Sequence, residues 1–264
     1  MCCFTAAAPP GLFARLFQRP VHVSGTRIFA RMREPGVQAL AYSMNLDAAA
    51  PVAMVLPLPV ALGSGEAALQ FIDLSAHSRM FFELQALFEF QPVAAARGGF
   101  QAHEQPRQTL VVHRVGAFVA SYVPTRADFE RLDPRFRLPA ALFDAVPHYA
   151  DYGFAVFQLE PGKSTVHPMA FTFQSRAATQ IFFPTVHVHD GRFHRRALFD
   201  HALYYQTPRC REQPATLPIG SFDGDAVAWR LAGRDYAGLV VPGQPMVRRT
   251  LHGRFPNQDT WIAA

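Results

Sequence analysis

The stretch VHVSGTRIFARMREPGVQALAYSMNLDAAAPVAMVLPLPVAL, residues 21–62, decides the fold. Short segments that are typical of strands are separated in it by Ser-Gly and Pro-Gly pairs, which are typical of turns. This pattern predicts three antiparallel strands and then a buried segment, in which Pro57 and Pro59 each remove a backbone donor. The predicted strands are residues 21–23, 26–32 and 37–46, and the buried segment is residues 53–60. We therefore expect the buried segment to end, or to lie at a sheet edge, near its prolines.

Outside this stretch, helix and strand signals alternate. Apolar residues at helical spacing in residues 65–90 predict one or two helices, and Thr125 is the expected N-cap of a short helix over residues 126–132. Further strands are predicted at residues 109–123, 153–159 and 167–174. The predicted fold class is α+β, a mainly antiparallel β-sheet with a few helices packed on it. We expect a single domain over residues 1–264, with a sub-boundary near residues 94–108.

The composition narrows the class of protein. The chain has 264 residues, is 50% hydrophobic and carries a net charge of +5. Its longest apolar stretch, residues 51–62, is too short and too interrupted by proline for a membrane helix. The basic residues are nearly all arginines without a cluster, so no nucleic-acid partner is expected. The absence of a secretory leader pattern predicts a cytoplasmic protein, and we expect a small-molecule or peptide substrate.

The chain begins Met1-Cys2-Cys3, and its three cysteines cannot build a disulfide framework. Removal of Met1 leaves Cys2 with a free α-amine, which titrates near about pH 8 and can act as a base for the neighbouring thiol. N-terminal nucleophile hydrolases cleave amide bonds with this arrangement. The start of the chain therefore predicts a thiol-dependent enzyme acting on an amide or acyl bond, with Cys2 as nucleophile.

The other candidate catalytic residues are Cys3, beside the nucleophile, and Asn45 and Arg31, which would donate hydrogen bonds to an oxyanion. Two further interpretations of the cysteine pair stay open. Both residues fit small buried hydrophobes, or thiols on a frayed chain end. Alternatively, they supply thiolates to a soft metal ion, although neighbours on a strand point to opposite faces and rarely bind one ion together.

Three histidines near residue 190 form a second candidate site. The pair Asp190-Gly191 between alternating segments is typical of a two-residue hairpin turn. In that register His187 lies opposite His194 and on the same face as His189. Three imidazoles on one face predict a zinc, copper or iron site with an open position, or alternatively a solvated hairpin face.

Other chemistries lack their usual signals. The chain contains no Gly-rich phosphate loop, no Gly-x-Ser-x-Gly elbow and no His-Glu-x-x-His run. His167 and His201 are further candidates to complete a metal site with the three histidines, but nothing in the sequence brings them there. A third hypothesis is a non-enzymatic interaction module, in which an arginine-rich β surface contacts a partner. The sequence does not specify the oligomeric state.

Several segments resemble those of a bacterial family of unknown function, whose members are mostly exported and carry an early cysteine. The resemblance lies at residues 21–28, in the run AMVLPLP at 53–59, and at 115–117, 154–162 and 168–173. It covers most of residues 1–175 and implies a shared fold. It implies no activity, and this chain differs in having Cys2 directly after Met1.

Overall fold

Strands dominate the chain. The computed structural model describes residues 2–6, 21–89, 113–115, 118–134, 137–138, 140–189, 192–212, 219–229 and 233–264. The strands are β1 (Cys2–Ala6), β2 (His22–Glu34), β3 (Val37–Ala48), β4 (Val52–Leu58), β5 (Leu69–Ile72), β6 (His113–Val115), β7 (Phe118–Val123), β8 (Gly153–Leu159), β9 (Gly162–Thr165), β10 (Met169–Gln174), β11 (Gln180–Phe183), β12 (His187–Val188), β13 (Arg196–Gln206), β14 (Ile219–Phe222), β15 (Asp225–Ala228), β16 (Met246–Pro256) and β17 (Thr260–Ala263). The α-helices are α1 (Met80–Ala86) and α2 (Ala140–Ala145), and 3-10 turns lie at Gly65–Ala68, Ser75–His77, Arg126–Arg131, Pro147–Tyr149 and Pro208–Glu212.

The strands in the described ranges form two large sheets and one small one. The first sheet has six strands in the order β12-β1-β4-β8-β7-β6. The second has nine strands, in the order β14-β15-β16-β13-β2-β3-β10-β5 with β9 paired to β3. Strands β11 and β17 pair separately. Among the described strands, two pairings are parallel, β1 with β12 and β2 with β13.

A hydrophobic core lies between the two large sheets. Tyr42 of β3 belongs to it, together with Met54 of β4. The alternate residues Ala39 and Ala41 of β3 join a different cluster with Met80 of α1. Successive strand residues point to opposite faces, so each large sheet has an inner face toward the other sheet and an outer face covered by loops and short helices.

The prediction of an α+β fold is wrong, because the described chain is mainly β. The helices expected in residues 65–90 are reduced to α1, since Leu69–Ile72 pairs with β10 as a strand. Pairing and burial against a neighbouring strand override the helical spacing of these residues. The helix expected at residues 126–132 is a 3-10 helix, and the proposed boundary at 94–108 lies outside the described residues. Across the described ranges, no helix has the length and apolarity that a membrane span needs.

The turn expected at Ser24-Gly25 is a β-bulge inside the single strand β2. The register moves from Ser24 opposite Asn45 to Arg27 opposite Ser43, which leaves one extra residue on β2. Gly25 has a φ of 58°, and a Cβ there would lie 2.7 Å from Asn45 Nδ2. Glycine tolerates both conditions, so residues 21–46 form two strands and not three.

Strand β4 ends at Leu58, between Pro57 and Pro59, which is the first of the two alternatives expected for residues 53–60, and it is not an edge strand. It lies between β1 and β8 in the first sheet. The pairs recorded between β1 and β4 among the described residues run from Val52 to Val55, and Pro57 is paired with Phe154 of β8. The strand therefore stops one residue after Pro57, whose ring removes a backbone donor from the ladder.

Candidate functional site

Cys2 and His187 are neighbours in the first sheet. Strands β1 and β12 are parallel, and their register puts Cys2 beside His187. On the other side of β1, Cys3 is paired with Val55. Val55 belongs to the hydrophobic cluster on the outer face of the first sheet. Register partners share a sheet face and successive residues alternate. The position of Cys3 is therefore on the outer face, and the positions of Cys2 and His187 are on the inner face.

His187 meets His201 of β13 across the gap between the two sheets. Nε2 of His187 lies 3.1 Å from Nε2 of His201, and the ring centroids are 4.6 Å apart. His201 shares the inner face of its strand with Leu203 and is only 2% exposed. Phe199 packs against His187, with the two ring centroids 4.5 Å apart. The two large sheets thus touch through a pair of imidazoles, which we call the histidine pair.

Both imidazoles of the histidine pair are neutral. Burial, followed by the influence of His189, lowers the pKa of His187 to about 3. Burial and then His187 lower the pKa of His201 well below its ordinary range. A neutral imidazole carries one N–H and one bare nitrogen, so one Nε2 donates to the other. Within the described residues Nδ1 of His201 has no hydrogen-bond partner, and Oδ1 of Asp200 lies 3.8 Å from it.

A buried amide fixes the backbone of His187. Oδ1 of Asn257 accepts a hydrogen bond from the His187 N–H at 2.7 Å, and Nδ2 of Asn257 donates to the His187 carbonyl at 2.8 Å. The same Nδ2 donates to the carbonyl of His194 at 2.8 Å. Asn257 therefore supplies the bonds that a strand partner would supply and holds the short strand β12 in place.

The hairpin predicted around Asp190-Gly191 does not form between the segments that flank it. The turn itself lies outside the described residues, but β12 joins the first sheet and β13 joins the second. His194 is therefore not the strand partner of His187, because the Asn257 amide bonds to both carbonyls. The ring of His189 remains near that of His187, with centroids 5.0 Å apart. In the described ranges, no three His, Cys, Asp or Glu side chains are grouped to hold a metal ion.

The two predicted oxyanion donors lie elsewhere. By strand alternation, both are on the outer face of the second sheet, away from the histidine pair. Arg31 donates from Nη2 to the Gly238 carbonyl at 2.9 Å and from Nε to the Leu239 carbonyl. Asn45 accepts a hydrogen bond from the Thr165 hydroxyl at 2.8 Å. Through these hydrogen bonds, both residues stabilise the outer face of the second sheet.

Two residues of this site, Asp200 and Asn257, were missed from the sequence, and His201 was considered only as an additional metal ligand that nothing in the sequence brings to the site. One signal was available for His201, which lies in the run Phe199, His201, Leu203, Tyr205, where every other residue is apolar or aromatic. A histidine in the buried register of a strand is a candidate for a special role. Asn257 carried no such signal, because its contacts depend on a long-range approach of β16 to β12.

Comparison with known proteins gives distant structural neighbours only. No family model and no curated protein matches the chain. The crystal structure of baculovirus P35 is 12% identical over 92% of this chain and 97% of that chain, with a TM-score of 0.45. P35 in its complex with caspase-8 is 10% identical over 91% and 96%, with a TM-score of 0.44. Likeness at this level supports no inference about family or function.

Proposed function

We propose that this chain is a thiol-dependent enzyme that cleaves or transfers an amide or other acyl bond, with Cys2 as nucleophile. The observation that supports the proposal is the strand register, which puts Cys2 beside His187 at the edge of the first sheet. A nucleophile needs a rigid support and nearby polar groups. The backbone of β1, bonded on both sides, and the histidine pair meet those two needs.

The base in this mechanism is the α-amine of Cys2, exposed by removal of Met1. An amine that titrates near about pH 8 takes a proton from a thiol readily. His187, with its pKa lowered to about 3, holds protons too weakly to compete for this role. As a neutral ring, it offers a hydrogen bond to the substrate carbonyl without adding a charge.

The reaction has two stages. The Cys2 sulfur attacks the acyl carbon while its proton passes to the α-amine, and the C–N or C–O bond breaks as the amine returns the proton to the leaving group. Water then attacks the thioester, the C–S bond breaks, and the sulfur regains a proton. An acyl acceptor other than water gives transfer in place of hydrolysis.

Two measurements test the proposal. Intact mass of the mature protein should show Met1 removed, and p-nitrophenyl acetate should give a burst of one p-nitrophenolate per chain as the acyl-enzyme accumulates. Cys2→Ala should abolish the burst, whereas Cys3→Ala, on the opposite face by register, should keep it. Retained Met1, or an undiminished burst in the Cys2 variant, would remove the proposal.

A further inference from the structure

A cleft of about 210 Å³ opens where strand β5 of the second sheet faces strand β7 of the first. We propose that this cleft binds a small organic ammonium ion, an amine carried on an apolar body of about the size of one aromatic ring. The cleft is separate from the proposed nucleophile, because β4 and β8 lie between β1 and β7 in the first sheet. Neighbouring strands are spaced about 4.8 Å apart, so β1 and β7 are about 14 Å apart.

The inside of the cleft is apolar and held by the core. Leu69 of β5 and Leu132 are buried, and Phe71 of β5 lines the cleft beside them. The Phe71 ring packs edge-on against Phe157 and Phe171, with centroids 5.7 Å and 6.3 Å away. An apolar cavity of about 150 Å³ holds benzene, so a cleft of about 210 Å³ has room for one ring and a short chain.

Tyr122 of β7 adds a neutral hydroxyl to the wall of the cleft. Its ring lies over Gly153 of β8, where a Cβ would be 2.9 Å from two carbons of the ring. A side chain at that position would displace the ring, so Gly153 keeps Tyr122 where it is. Burial, followed by the charge of Asp128, raises the pKa of Tyr122 to about 12. The hydroxyl is therefore protonated at neutral pH, and its oxygen can accept a hydrogen bond.

Two carboxylates and one guanidinium surround the mouth of the cleft. Nη1 of Arg131 lies 2.9 Å from Oε1 of Glu66 and 3.3 Å from Oδ1 of Asp128, so one nitrogen serves both acids. The hydrogen bond that Asp128 accepts from the Thr125 hydroxyl, at 2.7 Å, is the main cause that lowers the pKa of Asp128 and keeps it ionised. One negative charge is left over at the mouth, whereas the whole chain carries a net charge of +5.

This excess charge selects the class of ligand. An anion would have to approach two carboxylates, and a neutral molecule would leave the excess charge unpaired. An ammonium group can instead contact Asp128 and Glu66 and donate its remaining N–H to the Tyr122 hydroxyl. The side chains of Arg131 and Glu66 are 64% and 70% exposed, so the guanidinium can move into solvent at little cost. Arg131 therefore competes with the ligand for the two acids.

Isothermal titration calorimetry of the full-length protein with 2-phenylethylammonium tests this site. We expect one equivalent to bind with a Kd of about 0.1 to 1 mM, which is the range for a ligand of about nine heavy atoms. The neutral isostere 2-phenylethanol and the anion 3-phenylpropanoate should bind at least about 10-fold more weakly. Equal binding of the amine and the alcohol, tighter binding of the carboxylate, or no binding of the amine would overturn the proposal.

Variants at the mouth distinguish recognition from damage to the fold. Asp128→Asn should weaken binding of the amine about 10-fold, because it removes a charged partner. Arg131→Ala should strengthen binding about 3-fold, because it removes the competing cation, and a damaged fold would not produce this gain. The controls are Asp144→Asn and Arg126→Ala, which form an ion pair at 3.2 Å outside the cleft lining and should bind as wild type does. Weaker binding in Arg131→Ala, or wild-type affinity in Asp128→Asn, contradicts the assignment.

The amine site and the proposed acyl chemistry can fail separately. Cys2→Ala should bind 2-phenylethylammonium as wild type does, since β1 is two strands removed from the cleft wall. An acyl burst that needs Cys2, in a protein that binds no amine, leaves the enzyme and removes the amine site. Amine binding that Asp128→Asn weakens, in a protein without a burst, leaves the amine site and removes the enzyme.

Discussion

Strand β13 carries two buried polar clusters on its inner face, and they are built differently. At Tyr205, the hydroxyl donates to Asp225 Oδ2 at 2.7 Å, and Arg249 Nε lies 3.0 Å and 3.1 Å from the two carboxylate oxygens. At His201, one nitrogen contacts His187 and the other has no hydrogen-bond partner within the described residues. We call the first cluster the Asp225 network.

The contrast distinguishes residues that stabilise the fold from residues that are available to a ligand or a reaction. In the Asp225 network every charged or polar atom that we name has a partner, so its members stabilise the sheet and resist change. Burial and then the Asp225 hydrogen bond raise the pKa of Tyr205, which keeps its hydroxyl as a donor. A buried nitrogen without a partner costs stability, and such groups are found where a ligand or a reaction uses them. The predictions below test this division.

The largest effect is expected at the centre of the Asp225 network. Asp225→Asn removes the charge that Arg249 pairs with and leaves a partly buried guanidinium uncompensated. We expect the free energy of unfolding to fall by about 3 kcal/mol in urea denaturation. The control is Asp223→Asn, since Asp223 is exposed and 3.9 Å from Arg209, and it should cost less than about 0.5 kcal/mol. Equal losses in both variants would contradict the network's role.

The second effect concerns the amide that holds the histidine pair. Asn257→Ala removes three hydrogen bonds to the backbone of His187 and His194, and should cost about 2 kcal/mol of unfolding free energy. It should also speed amide hydrogen exchange at His187. Gln258→Ala, at an exposed neighbour, should do neither. Unchanged amide exchange at His187 in the Asn257 variant would show that other contacts hold the edge strand β12 in place.

The sequence was informative where local pattern decides the structure. Met169, Phe171 and Phe173 alternate along β10 and all lie in the core between the sheets, as their spacing predicts. Residues 153–159 form β8 with the predicted bounds. In these segments the period of two is strict and the burial pattern follows from it.

The sequence was misleading where a contact between segments distant in the chain determines the local structure. Gly25 fits a turn by composition, but Asn45 on the neighbouring strand makes it a bulge. The histidines near residue 190 fit a hairpin, but Asn257 separates the two segments. Likewise, the His187 to His201 contact depends on the packing of two sheets, which no local period encodes.

The third effect is a loss of stability at alkaline pH, which arises from the thiol of Cys210 beside the Asp225 network. Burial, followed by the charge of Asp223, raises the pKa of the Cys210 thiol from 9.0 to about 11. The unfolded chain therefore releases this proton first, so stability is full below pH 9 and falls as pH rises toward 11. The charges of Arg209 and Asp225 also act on the pKa of this thiol. The thiol in turn contributes to the raised pKa of Tyr205.

Cys210→Ala removes that titration. Between pH 8 and pH 10, the unfolding free energy of wild type should fall by about 1 kcal/mol more than that of the variant. Urea unfolding at the two pH values measures both losses in parallel. Identical losses in the two proteins would show that the thiol ionises equally in the folded and unfolded states.

The smallest effect is expected at the histidine pair, although His201 is nearly as buried as Tyr205 and more buried than Asp225. His201→Leu loses one nitrogen-to-nitrogen hydrogen bond but also removes a buried nitrogen without a partner, and these terms nearly cancel. The unfolding free energy should change by less than about 1 kcal/mol in urea. Leu203→Ala, on the same face, should cost about 3 kcal/mol and shows that the assay detects core damage. A comparable loss in His201→Leu would assign the histidine pair to the support of the fold, like the Asp225 network, and remove the basis for treating it as a site.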